Sequence, residues 1–483
     1  MTTDTINAPI YPTAGFTSAA PARWPALLTA LCGLSLGIDK IWGRGDTLLF
    51  SISSTALVCL CLLLLVRLLR HKRIALFVLS LFVIYDVVLP WVLTYCLSIS
   101  PLTYVLGEFS GNVFVETLKI NFLYLCWFVG ITFLADMYLS GVEAKNEKQF
   151  FYAVVEDNAL SSFILLALSA LSFVLLRLAV ASGPRQEFLL EADTQDRFIL
   201  SVAINLTILA FSLAMFRQRK LIGLFYPAAI LPFVGAILTA VYGFRGTLVS
   251  LSLVLMIFYS FHHRIKFYQV VLAFLGGAVL AGLMVVFAYM RRDGVSLNDL
   301  FALIAKSKLN TDLVFRFFGA VQQDNLLATN YFLQTKEHLW GITFIDAALN
   351  ILPHGLRLAL FTTIRPQDYI LEHFGLIPKI FRDSNATMGA TWILEGLINF
   401  GAVGPIIVGT MYVVFFSYVE KKRGSSPNML ILYIAVASQA FVAAWYGSSN
   451  FAKYVVFLFV LGAAFNWLMK TMGLRFQVAE IKV

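Results

Sequence analysis

Apolar runs of about twenty residues recur along almost the whole chain, separated by short polar stretches. At about 1.5 Å of rise per residue, roughly 18 or more apolar residues in helical form cross the hydrocarbon core of a bilayer. Backbone polar groups find no water in that layer, so only helices or closed barrels survive there. Barrel strands are about ten residues long and alternate in polarity, whereas these runs are longer and continuously apolar. The expected fold class is therefore all-α, a polytopic membrane protein with about 12 transmembrane helices. Composition agrees, since 59% of the 483 residues are hydrophobic and 13% are charged, against about 25% charged in soluble domains.

The runs place spans at 24–40, 46–69, 74–99, 113–139, 159–182, 197–216, 221–243, 246–261, 266–290, 390–418, 427–446 and 453–472. Lys and Arg collect in cytoplasmic loops, and here they recur at every second connection. The clusters are Arg67–Arg73, Arg217–Lys220, His262–Lys266 and Glu420–Arg423. All four share one side only if both termini are cytoplasmic. The formal net charge of +9 is thus the signature of membrane orientation, and nucleic acid is not an expected partner. Residues 1–23 lack the basic and apolar segments of a signal peptide and read as a disordered cytoplasmic tail. Residues 24–290 hold spans one to nine, 390–472 the last three, and 473–483 a second cytoplasmic tail. Between them, 291–389 form one long extracytoplasmic connection. Amphipathic pieces such as "SLNDLFALIAKS" predict a small, mostly helical cap over the outer surface.

Five cysteines (Cys32, Cys59, Cys61, Cys96, Cys126) sit in or beside apolar runs without metal or disulfide spacing and read as small hydrophobes. No nucleotide-binding loop or zinc motif occurs, so no cofactor or metal is expected. Energy has to come from an ion gradient or from the substrate.

Charges inside or beside the spans are the candidate functional residues, because an intramembrane charge is costly. Arg245, in "VYGFRGTLVS", opens the eighth span on the outer side, flanked by Gly243 and Gly246; Arg291 and Arg292, in "AYMRRDG", close the ninth on the same side. Lys453 opens the last span. Guanidinium groups are suited to phosphate oxygens, and generic anchoring to lipid headgroups is the competing reading. Deeper lie Asp86, compatible with a proton pathway, and Glu116, Lys119 and Arg177, with Glu116–Arg177 as a possible structural pair. In "DSNATMGATWILEGLINFGAVGP", Glu395 falls within the first two turns of a span read as entering from outside. That direction points the positive N-terminal end of the helix at the outer site. Glu395 is a candidate base or the neutralising partner of an arginine, and Asp383 begins the stretch. In "LPHGLR", His354 and Arg357 share a Pro/Gly turn, as a base beside a phosphate site or as a solvated turn.

The motifs "GFRG", "YMRRDG" and "LEGLINFGAVGP", in this order around one long late connection, resemble the Wzy-type oligosaccharide repeat-unit polymerases, which include the enterobacterial common antigen polymerase. The resemblance covers roughly residues 220–470. Related O-antigen ligases carry a histidine just before the span after the long loop; here "RDSNATMG" has none, which favours a polymerase. Some family members place an arginine between the last two spans, where this chain has only Lys453. The resemblance implies a C-type glycosyltransferase fold in a bacterial inner membrane with its active face periplasmic. It implies transfer of a glycan from undecaprenyl diphosphate to a second lipid-linked repeat unit, without metal or nucleotide. Arg245, Arg291 and Arg292, with Arg357 and Lys453, would bind diphosphate; Glu395, His354 or Asp383 would take the proton. The bilayer and a chain-length regulator protein are the further expected partners. The alternatives are a ligase-like glycan transferase or, from another class, a transporter of lipid-linked glycan or coupled ions.

Overall fold

The computed structural model describes residues 20–42, 47–92, 111–145, 149–155, 159–181, 194–218, 226–241, 246–262, 268–269, 329, 332–333, 338–349, 391–472 and 476–482. Almost all of the ninth expected span, and most of the long connection, lie outside these residues. The described elements are α1 (Ala20–Trp42), α2 (Thr47–Arg70), α3 (Ile74–Trp91), α4 (Gly111–Lys145), β1 (Gln149–Val155), α5 (Ala159–Ala181), α6 (Thr194–Gln218), α7 (Pro227–Val241) and α8 (Gly246–His262). They continue with α9 (Ile342–Leu349), α10 (Trp392–Phe400), α11 (Gly404–Lys422), α12 (Pro427–Ser438), α13 (Ala440–Thr471) and β2 (Phe476–Lys482).

Among the described residues, seven helices are long and apolar enough to cross a membrane, and four shorter apolar helices accompany them. The chain is a multi-pass, predominantly helical membrane protein. Its centre is built around α13, which packs on α3, α6 and α12, with α12 also on α3; α4 binds α1, α3 and α11 from one flank, and α5 with α7 covers α6 on another. On α5 the side chains of Phe163, Val174 and Leu178 point outward, as a lipid-facing stripe must. Between helices, hydroxyls serve as glue: Ser169 donates to the Ala228 carbonyl at 2.7 Å, and Gln439 donates to Ser250 at 3.1 Å. Such bonds hold helices where lipid tails supply no hydrophobic drive.

One end of the bundle gathers the basic segments. Asp136 on α4 is fully buried, meeting Arg67 Nε at 2.5 Å and His71 Nδ1 at 2.8 Å. Glu420 on α11 accepts from the Ala75 N–H at 2.7 Å, so it caps the first turn of α3 from another helix; Arg423 meets it at 3.0 Å and donates to the Lys72 carbonyl at 2.6 Å. The Arg423 guanidinium also lies over the rings of Phe261 and Tyr433, and Phe216 meets Phe258 and Phe261. The helix ends beside all four basic clusters therefore share this end. Beyond the helices, β1 and β2 pair antiparallel, Gln149 with Lys482 and Val155 with Phe476. Sequence patterning did not anticipate this two-stranded sheet.

Two expected charge relations are resolved. Glu116 pairs within its own helix, with Lys119 at 3.5 Å, while Arg177 is exposed on α5. Asp86 is buried in α3.

Candidate functional site

The expected span 390–418 is two helices, not one. Helix α10 ends at Gly401, whose φ of 62° is a left-handed value suited to glycine and whose N–H returns to the Leu397 carbonyl. A 3-10 turn, Gly401–Val403, follows, and Pro405 opens α11, where its missing N–H costs nothing. The two helices then run side by side in opposite directions. The backbones of Gly396 and Gly404–Pro405 touch, an approach that any side chain at Gly404 would block, and the Trp392 ring lies against Gly409. Helix α4 braces the pair: Tyr124 donates to the Ala402 carbonyl at 2.9 Å, and Phe128 meets Trp392 at 5.5 Å.

Because α11 ends at the basic end, the Gly401 turn marks the opposite end. The 19 residues of α11 rise about 28 Å, close to the hydrocarbon thickness. The nine residues of α10 rise about 13 Å, so α10 is about half as long as α11 and runs toward the Gly401 turn. The direction of α10 is thus opposite to that of α11, where one continuous span was expected. The helix that carries Glu395 points its C-terminal end at the Gly401 turn, and Glu395 lies in its first turn.

Glu395 is fully buried. Its carboxylate accepts from the Ser448 N–H at 2.9 Å, the Ser448 hydroxyl, the Thr343 hydroxyl at 3.2 Å and the Tyr412 hydroxyl at 3.3 Å. Ser448 follows Gly447, where α13 breaks with φ 77° and ψ 177°. The helix that restarts there has unsatisfied N–H groups and a positive end, and Glu395 supplies the anion. A buried carboxylate with four donors on its two oxygens is a capping group. Both of its oxygens are engaged in these bonds and neither is exposed.

A piece of the long connection completes the network. The N–H groups of Leu339 and Trp340 donate to the Ile398 and Asn399 carbonyls at 2.9 and 3.0 Å, closing the end of α10. Asn399 accepts from the Gly341 N–H at 3.1 Å and donates to Thr343 Oγ1 at 2.6 Å. Asp346, fully buried on α9, accepts from the Ser449 hydroxyl at 2.8 Å. Two buried carboxylates thus hold the adjacent Ser448 and Ser449, one from α10 and one from α9.

Of the expected site residues, Glu395 and Lys453 are described, and Lys453 is half-buried on α13, five positions after Ser448. Arg245, Arg291, Arg292, His354, Arg357 and Asp383 lie outside the described residues. Gly246, the first residue of α8, lies against the Phe441 ring, 3.7 Å from it as measured from an added Cβ. Phe441 belongs to the segment leading to Gly447, so the start of α8 adjoins the Gly447 side of the site. Sequence reasoning passed over Thr343, Asp346, Asn399, Tyr412, Ser448 and Ser449. Ser448–Ser449 carried a legible signal, hydroxyl residues after a glycine at the start of an apolar run. Comparison with protein-family models, with curated proteins and with solved structures finds no match.

Proposed function

We propose that the chain is a membrane-embedded glycosyltransferase that polymerises oligosaccharide repeat units carried on undecaprenyl diphosphate, working at the periplasmic face of a bacterial inner membrane. The observation that carries this reading is the order of arginine-bearing motifs in the sequence, Arg245 and then Arg291–Arg292, ahead of one long late connection. The adjacency of Gly246 and Phe441 supports it, because it sets the residue following Arg245 against the helical segment that leads to the Gly447 turn. In the reaction, the acceptor sugar hydroxyl attacks the anomeric carbon of the donor. The bond from that carbon to the diphosphate oxygen breaks, and the lipid diphosphate leaves with the bonding pair. Arg245, Arg291 and Arg292, with Arg357 and Lys453 as further cations, stabilise the departing charge. His354 or Asp383 receives the hydroxyl proton. Glu395 acts one step removed, by holding the α10 hairpin, α9 and the start of the last helix together.

A transporter is the rival reading, and the short α10 favours it, because transporters use discontinuous helices. One experiment separates the two. Purified protein in detergent, given lipid-linked repeat units, is expected to form polymer without any sealed membrane. Arg245→Ala is expected to abolish chain extension, while in cells it leaves protein abundance and single-repeat transfer intact. Unchanged polymer ladders in that variant would overturn the site. A native protein that yields no polymer in detergent, yet moves lipid-linked glycan across vesicles, would overturn the activity.

A further inference from the structure

Helix α9 is inside out by the standard of a water-soluble cap. Amphipathic helices on soluble surfaces turn apolar side chains inward and polar ones to water. Here the buried face carries both polar groups, Thr343 and Asp346 at 0% exposed, beside the small Ala347, Phe344 packs partly against the core, and the outward face carries Ile342, Ile345 and Ala348. Ile345 is 57% exposed and Trp340, at the head of the segment, 77%. Polar-in and apolar-out is the arrangement of helices whose surroundings are lipid, where ionisable groups face the protein interior.

Its depth agrees. The segment starts level with the Gly401 turn, since Trp340 bonds the Asn399 carbonyl and Gly341 lies against the Phe400 ring. It then runs down beside α10, because Thr343 reaches Glu395 and Asp346 reaches Ser449. Glu395 is five residues below Phe400, about 7 Å at helical rise. Apolar side chains are outward on the neighbouring hairpin as well. Beside the turn, Val403 is 58% exposed, and below it Ile407, Met411 and Val414 form the outward stripe of α11.

We infer that residues 340–349 are embedded in the outer leaflet, with Ile342, Ile345 and Ala348 against lipid acyl chains and Trp340 at the interface. The partner of this face is the bilayer itself. The long connection is thereby no purely aqueous cap: it dips into the membrane at α9 and is held there by Glu395, Asn399 and Ser449. Tryptophan at the headgroup level is the usual anchor for such a segment. This inference stands on the packing of α9 and does not depend on the proposed glycosyltransferase activity.

The test uses the full chain reconstituted in phosphatidylcholine vesicles. Emission from Trp340 is obtained as the difference between native protein and Trp340→Phe. Emission from the α9 face is obtained by adding Ile345→Trp to Trp340→Phe, with Ala348→Trp as the alternative if the first variant does not elute as folded protein. Phospholipids brominated on their acyl chains are expected to quench the tryptophan at position 345 or 348, and aqueous iodide is expected to leave it unchanged. Trp340 is expected to lose emission to lipids brominated near the headgroup end of the chain. Quenching of position 345 or 348 by iodide would overturn the inference in favour of an aqueous cap. Insensitivity of that position to both quenchers would overturn it in favour of protein covering the face.

Discussion

Glu395 and Glu420 do the same job at opposite ends of one hairpin. Each leaves its own helix to accept backbone N–H groups at the start of another, Ser448 on α13 and Ala75 on α3. An anion at a helix start offsets the unsatisfied donors and the dipole together, and in a low-dielectric interior the alternative is several bare N–H and O–H groups. Removing the Glu395 carboxylate leaves four donors buried without it. Glu395→Ala is expected to cost about 3 kcal/mol or more, read as a lower melting temperature of the detergent-solubilised protein. Glu395→Gln keeps one acceptor oxygen and is expected to lose less; equal losses would contradict the capping role. The sequence singled out Glu395 because a carboxylate in an apolar run is conspicuous. Its task was illegible, because that depends on which way α10 runs and on Ser448, 53 positions away.

At the scale of elements, the apolar runs were readable as spans because length and composition alone decide whether a helix suits the membrane. The reversal at Gly401 was not readable. "INFGAVGP" is equally consistent with a kinked helix, and only the contact of Gly396 with Gly404 makes it a hairpin. That contact sets a graded prediction. A methyl group at Gly404 meets the Gly396 backbone, which cannot step aside without opening the hairpin, whereas at Gly409 it meets the edge of the Trp392 ring at 3.0 Å. Gly404→Ala is expected to cost roughly 2–3 kcal/mol, in the range of overpacked cores. Gly409→Ala is expected to cost less, because the higher helix propensity of alanine returns up to about 1 kcal/mol. Thermal unfolding of the two variants side by side checks the order. Helix α9 escaped sequence reading for a related reason. "ITFIDAAL" is short and apolar with one acid, and its inverted faces become visible only once Thr343 and Asp346 are seen to point inward.

For the whole molecule, sidedness is the property that sequence and structure approach from different directions. Charge counting reads both termini as cytoplasmic, and the pairing of β1 with β2 puts the connection after α4 and the segment after α13 together on one side. Cysteines at Tyr152 and Ala479, which are register partners, are expected to form an intramolecular disulfide when membranes are treated with a mild oxidant. Mass spectrometry of the cleaved protein reads the linked peptides. A pair that reacts from opposite sides of sealed vesicles would refute both the sheet and the shared face. The same pairing sets an order of events during synthesis. Strand β1 emerges early, and its partner begins at Phe476. At about 5–20 residues per second, β1 waits on the order of tens of seconds with both edges open, while most of the spans are inserted around it. The sheet is therefore a late clasp, closed only after the bundle it fastens has been laid down.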